Sequence, residues 1–575
     1  MTSGIDIVVA ALPLLIAGVL LVGFLWPATR AMPIAWAAAV AIGFFAWDMP
    51  VNWLLAASGN GVMTAITILW IVFGALVLLY TLMEAGALDR INEGFAAVSD
   101  DRRVQIVLIA FFMATFVEGA AGFGTPAAVV APLLLGLGFP ALAAVVAAII
   151  GHIIAVTYGA VGTPIVVGIQ NPLGNADFTR EAIEGGGFTV QNFSTEVAAW
   201  AATYHALIGF VMPLFAVGMV VYFFGDQDER SLAPAFEVAP LCLFAGISFA
   251  VPYWISAWYF TAEFPSLIGS MVGGAIVVSV LRAGYLLPED EWDFPERDQW
   301  ADHWVGSIEP GQAGADTDMT DGGTTTRDMS LLKAWSPYVA LVVLLVVTRA
   351  VGPVSNFINR DIFIISFSEI FGTPISPSFA WMNVPGFWLI MSAVIAIPIF
   401  GMSGDEISAA WKEAVRKIAS PFIALVFVIA MVQVMLQSGS HPGAPDVGSM
   451  IVLLAQTTAD TLGVAYPAVA ALIGALGAAM AGSNTVSNIT FGAFQFEAAT
   501  QLGLPRTIIV GAQAVGGAIG NLVAIHNLVA ALATVGLVGQ EGRVMRLNLI
   551  PLLYYSSGVG LLALLFSYVL FGGVF

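Results

Sequence analysis

Apolar residues run along this chain in long blocks separated by short polar breaks. Residues 7–26, 196–224, 337–349 with their flanks, and 549–575 are such blocks, on the scale of the about 20 apolar residues that a helix needs to cross a bilayer. The pattern predicts an all-α polytopic membrane protein. Residues 7–26 are not followed by a small-residue cleavage site and read as a retained first span. The breaks repeat. Around Leu137-Gly138-Phe139-Pro140, the stretch Glu118-Gly119-Ala120-Ala121-Gly122-Phe123-Gly124-Thr125-Pro126 precedes an apolar helix. Around Leu502-Gly503-Leu504-Pro505 the layout recurs behind Gly482-Ser483-Asn484-Thr485-Val486-Ser487-Asn488. Aligning the two corners also matches Gly151 to Gly516.

Composition sharpens the class. With 59% hydrophobic and 10% charged residues, the chain is not an ordinary soluble globule, and its partner is the lipid bilayer. The net charge of −20 excludes a basic nucleic-acid footprint. Acids concentrate in a Gly- and Thr-rich insertion running from Glu289-Asp290-Glu291 through Asp316, Asp318 and Asp321. It lacks hydrophobic periodicity, so the expectation is a loosely folded, solvating cytoplasmic loop of halophilic type that takes no part in transport. The single cysteine, Cys242, argues for neither a disulfide nor a thiolate metal site.

Basic residues set the orientation, because cytoplasmic loops carry an excess of Lys and Arg. Arg30, the group Arg90, Arg102 and Arg103, then Arg230, Arg282, Lys333, the group Lys412, Arg416 and Lys417, and Arg543 with Arg546 are placed inside. Loops at 49–61, 171–191, 253–265, 351–385 and 438–448 then fall outside, with Arg180, Arg349 and Arg360 as exceptions. Residues 104–170 and 449–540 therefore run antiparallel, as inverted-topology repeats require. The organisation expected is an N-terminal transmembrane half at 1–281, the acidic loop at 282–332 and a C-terminal half at 333–575.

Paired Gly/Pro-broken segments in matching halves point to a transporter's binding site. Three glycines and a proline at 119–126 disfavour a continuous helix, and freed backbone is tolerated at membrane depth only inside protein or beside a cavity. Each half is expected to form a re-entrant or broken-helix hairpin near 116–140 and 480–505. Candidate substrate contacts are Gly119, Gly122, Gly124, Thr125, Thr163, Ser483, Asn484, Thr485, Asn488 and Asn521, with close helix packing and interhelical hydrogen bonding as the alternatives. Glu118, an acid in an apolar span, marks a substrate or ion pathway. His152 and His526 are further proton candidates, or satisfied core histidines. No metal-ligand spacing, nucleophile–base order or phosphate loop is present, so an enzyme is not expected and no cofactor is called for.

Phe116-Val117-Glu118 through Pro126, Gly136-Leu137-Gly138-Phe139-Pro140, Tyr158-Gly159-Ala160-Val161-Gly162-Thr163-Pro164-Ile165, Lys333-Ala334-Trp335-Ser336-Pro337-Tyr338 and the Gly482–Asn488 motif resemble the L-lactate permease family of secondary transporters, in order and spacing over nearly the whole chain. The resemblance implies symport of L-lactate, glycolate or similar 2-hydroxymonocarboxylates with a proton across the plasma membrane. A more distant similarity of the Ser-Asn-Thr element to dicarboxylate–sodium symporters implies an elevator-type carrier and a homodimer. The family usually has an acid where this chain has Asn484 and a lysine near Asn521. Those departures leave a sodium-coupled carrier of another small organic anion, such as a dicarboxylate, as the alternative; an ion channel or pump subunit is disfavoured by two non-identical hairpins.

Overall fold

The computed structural model describes residues 4–226, 230–311 and 329–575. Twelve helices are long and apolar enough to cross a membrane, or up to 13 if one bent pair is counted as a span. The β-structure among the described residues is a single antiparallel pair, Ile365–Ser366 with Ser378–Phe379. Helices differ in how much of their surface they expose, as their sequences dictate. Arg102–Ala120, apolar all round, is buried along its whole most apolar stretch, whereas most of Gly4–Gly23 faces outward.

Two helices of 34 residues, Val51–Glu84 and Gly404–Gln437, are each about 50 Å long and cross closely. Their approach depends on Gly61, where a β-carbon would strike the backbone of Ala430. Asn60 Nδ2 donates to Gln433 Oε1 at 3.1 Å in the same contact.

Three of the expected outer loops are shorter than their sequence suggests. Residues 51–61 are already helical, 171–191 holds the short helices Gln170–Asn175 and Asp177–Gly185, and the helix entering 253–265 continues to Tyr259. The three basic exceptions have local partners. Arg349 Nη2 meets Glu263 Oε1 at 2.6 Å and its Nη1 donates to Asn383 Oδ1 at 2.6 Å; Arg180 pairs with Asp177, and Arg360 lies over the Phe357 ring.

The acidic insertion departs from expectation. Asp316, Asp318 and Asp321 lie outside the described residues, but 289–311 is a packed strap. Arg103, 1% exposed, donates from Nη2 to Asp101 Oδ2 and to the Asp290 carbonyl, and from Nη1 to Glu237 Oε2, each at 2.7 Å. The Trp292 amide donates to Asp101 Oδ2 at 2.8 Å. Trp304 is buried against Phe224, the Ser307 amide donates to Gly536 O, and the Gly311 amide to Leu135 O. Composition suggested solvation; Trp292, Trp304 and a buried arginine distant in sequence order it instead.

Candidate functional site

Four interruptions of helical structure converge. In the first hairpin Arg102–Ala120 ends at a tip where Gly122, Phe123 and Gly124 have φ of +58°, +52° and +78°. Three successive left-handed residues reverse the chain, and the one without glycine's freedom costs about 1–2 kcal/mol. The Thr125 hydroxyl closes the turn on Gly122 O at 2.7 Å. The returning arm, Thr125–Gly136, has 12 residues and is about 18 Å long, short of the about 30 Å hydrocarbon thickness. At the other end the arms meet, with the Arg102 guanidinium 5.7 Å over the Phe139 ring. Further on, Ala141–Gly151 gives way to the 3-10 turn Ile153–Tyr158, and Ala160, Val161 and Gly162 are again left-handed.

The second hairpin pairs Tyr466–Ala481 with Asn484–Leu502 about a tip at Gly482, φ +64°. Ser487 Oγ donates to Gly474 O at 2.7 Å and Gln495 Nε2 to Ala470 O at 3.0 Å, fixing the arms antiparallel. Beyond the corner, the helix through Arg506–Val523 bends by 46° into Ile525–Thr534. The matched glycines play the same part in the two halves: a β-carbon on Gly151 would strike Ala110 O, and one on Gly516 would strike Ala471 O. Each lets the helix after the hairpin close on the hairpin's first arm.

All four breaks line one cavity of about 20 Å³. The first hairpin contributes Glu118, Phe123 and Gly124, and the break after it His152, Val156, Gly159 and Pro164. The second hairpin contributes Gly482, Ser483, Asn484 and Thr485, and the final bend Asn521 and Asn527. No Lys or Arg is among them. Glu118 is 4% exposed, and its carboxylate lies so close to Gly159 that a β-carbon there would overlap Oε1. His152 Nδ1 contacts Ala148 O at 2.7 Å. A carbonyl only accepts, so Nδ1 carries a proton, and Nε2 is an acceptor when the ring is neutral. Asn484 is 2% exposed, yet neither Oδ1 nor Nδ2 has a hydrogen-bond partner. Such a group costs about 1–3 kcal/mol unless something pairs with it. Asn527 Nδ2 donates to Asn521 Oδ1 at 3.1 Å and to Gly482 O at 3.4 Å.

The other sequence candidates have different surroundings. Gly119 packs on Ser266 and Leu267, and Gly122 on Ala160. The Thr163 hydroxyl donates to Ala160 O, and Asn488 Nδ2 to Pro164 O. His526 stacks under the Gly482 tip and faces a separate, larger cavity. His205 is a satisfied core histidine, between Thr157 Oγ1 and Tyr555 Oη. Among the described residues no three of His, Cys, Asp and Glu gather as a metal-holding group.

A family model for L-lactate permease matches residues 6–570. The chain belongs to the L-lactate permease family. It is a multi-pass integral protein of the plasma membrane and a transporter of small carboxylates. Similar proteins include a putative L-lactate permease of Haemophilus influenzae (28% identical, 86% of this chain and 85% of the relative). The glycolate permease GlcA of Escherichia coli is 28% identical over 93% of this chain and 90% of its own, and the L-lactate permease of Bacillus subtilis 26% over 89% and 87%. Among solved structures, Neisseria gonorrhoeae MtrF, described with a class of antimetabolite efflux pumps, aligns at TM-score 0.44, 13% identity, over 90% of this chain and 85% of that one. The Alcanivorax borkumensis YdaH transporter aligns at 0.42, 15% identity, over 89% and 87%. Likenesses that loose place no residue and no mechanism.

For a permease the cavity has the parts an anion carrier needs. Helix N-termini attract anions, and one of them, at Asn484 and Thr485, opens on it. The amides of Asn484 and Thr485 have no carbonyl one turn back within the helix, while that of Val486 is capped by Ser483 Oγ at 3.4 Å. Asn484 and Asn521, where the sequence resemblance led one to expect charged residues, both line this cavity. Sequence reasoning left Phe123, Gly159 and Asn527 off its candidate list. For Gly159 and Asn527 the signal was there, in polar breaks flanking the hairpins; the role of Phe123 depends on a left-handed backbone that no residue type announces.

Proposed function

We propose that this permease is a proton-coupled symporter of L-lactate, glycolate and similar short 2-hydroxymonocarboxylates. The observation that carries the reading is the juxtaposition of buried Glu118 and the unpaired Asn484 carboxamide in one cavity between two hairpin tips. The substrate carboxylate accepts from Asn484 Nδ2 and the first amides of the second hairpin's helix. The 2-hydroxyl donates to His152 Nε2. An anion about 4 Å from an ionised Glu118 would meet a repulsion of about 4 kcal/mol at a protein-like dielectric of about 20. A proton on Glu118 removes that repulsion, so substrate and proton bind together. The cavity of about 20 Å³ is on the scale of a single water, so the tips must part to admit a three-carbon anion. Equivalent close approaches at Gly151 and Gly516 support inverted repeats moving in alternating access, with the hairpins as an elevator-type transport unit.

Sodium coupling to another organic anion is the second reading. It is favoured by the unpaired carbonyl oxygens of Asn484 and Asn488, which are sodium-type ligands. Uptake of labelled L-lactate into proteoliposomes, under a proton gradient or a sodium gradient imposed separately, decides. Accumulation on protons alone supports the first reading and accumulation on sodium alone the second. Accumulation on neither overturns the first reading, and the same two gradients with a labelled dicarboxylate then test the second.

A further inference from the structure

Beside the binding cavity lies a second, larger one of about 420 Å³, walled by the end of the first helix, the start of Ala28–Ala46 and the middle of Gly404–Gln437. It is mainly apolar, and its wall runs to Thr29 and Pro421, which lie one and four residues along the chain from Arg30 and Lys417, both placed inside by the charge pattern. The two cavities share three residues, Phe123, Gly482 and Ser483. Two of these are too small to close an opening, so the Phe123 ring is the partition. Its backbone is held left-handed between Gly122 and Gly124, and the residue is partly buried with both cavities against it.

We infer that Phe123 determines substrate size, closing the binding cavity against the apolar vestibule and capping the space for the substrate's alkyl group. This rests on the reading of the cavity as the hydroxycarboxylate site. A ring at the partition admits hydrogen or methyl at carbon 2 of the acid and rejects longer chains. Without it, the alkyl tail extends into the vestibule, where apolar walls receive it. The ring is also the barrier that separates the bound anion from the cytoplasmic side.

Phe123→Gly is the cleanest probe, because glycine adopts the left-handed conformation without strain and the fold is spared. In proteoliposomes the ratio of 2-hydroxyvalerate to lactate uptake should rise by about tenfold or more, the scale on which a pocket discriminates methylenes; Phe123→Leu should fall between. An unchanged ratio overturns the size role. A second arm needs no substrate. In a Cys242→Ala background, free of the one buried cysteine, the thiol introduced by Asn484→Cys is labelled with a membrane-impermeant reagent on inverted vesicles. Labelling should quicken by about tenfold when Phe123→Gly is added, and an equal rate overturns the partition. If the wild type transports no hydroxy acid, the substrate reading has failed and the labelling arm still decides the partition.

Discussion

Asn488 Nδ2 donates to the carbonyl oxygen of Pro164 across 3.0 Å, joining the second hairpin to the broken helix of the first half. Both groups are buried, and Pro164 itself lines the cavity. The bond therefore ties together two walls of the site that come from opposite ends of the chain.

Asn488→Ala should leave that carbonyl unpaired and cost about 1–3 kcal/mol. A lowered thermal midpoint in detergent, with a raised KM for lactate, is the expected result. An unchanged midpoint would mean that the wall does not depend on this contact.

Glu118→Gln imitates a carrier that never releases its proton. Exchange of internal for external lactate needs no deprotonation and should persist in counterflow assays. Accumulation driven by a proton gradient should vanish, because net transport requires an empty carrier that returns without the proton. Accumulation that survives would move the proton to His152, which shares the cavity.

Asn484→Asp puts a second carboxylate beside the substrate's. Its KM for lactate should rise at least about tenfold, a cost of about 1.4 kcal/mol, smaller than the full repulsion at contact. Adding Asn521→Lys should recover much of the loss, since both residues line the cavity. Strictly additive effects in uptake measurements would show that the two positions do not interact. Asn484→Leu should abolish transport outright while the folded protein remains in the membrane.

Gly159→Ala and Gly517→Ala test how tightly the two polar groups are held. A methyl at the first overlaps Glu118 Oε1, and one at the second overlaps Asn484 Oδ1. Each should reduce lactate uptake by an order of magnitude or more, at a small change in the thermal midpoint, because a side chain rather than backbone must move. Gly151→Ala is the contrast: its methyl meets a backbone carbonyl, and overpacking of that kind costs about 1–3 kcal/mol.

The strap rests on Arg103. Asp101→Ala removes the fully buried partner of a fully buried guanidinium and should cost about 3–5 kcal/mol, enough to depress the yield of folded protein. Glu237→Gln, at a carboxylate whose side chain is 60% exposed, should cost less than about 1 kcal/mol. Equal midpoints for the two variants would show that the clasp does not hold the strap.

By itself the sequence determined the membrane class, the positions of all four helix breaks and the buried acid that lines the cavity. Each of these is local: a run of apolar residues has to be shielded from water, Gly and Pro interrupt a helix wherever they cluster, and an acid in such a run is costly anywhere. The tertiary structure decided what each break residue faces. Asn484 and Ser487 belong to one motif and one helix face, yet the first lines the cavity while the second is spent on Gly474 O, because one helical turn sets them at different depths along it. Phe123 became a partition through a left-handed backbone enforced by the tip around it. The strap at 289–311 is ordered by Arg103 and Leu135, far away in the chain, where composition argued for solvation. Hydrophobic pattern and residue type act over a few positions; direction, partner and burial are settled only when distant segments pack.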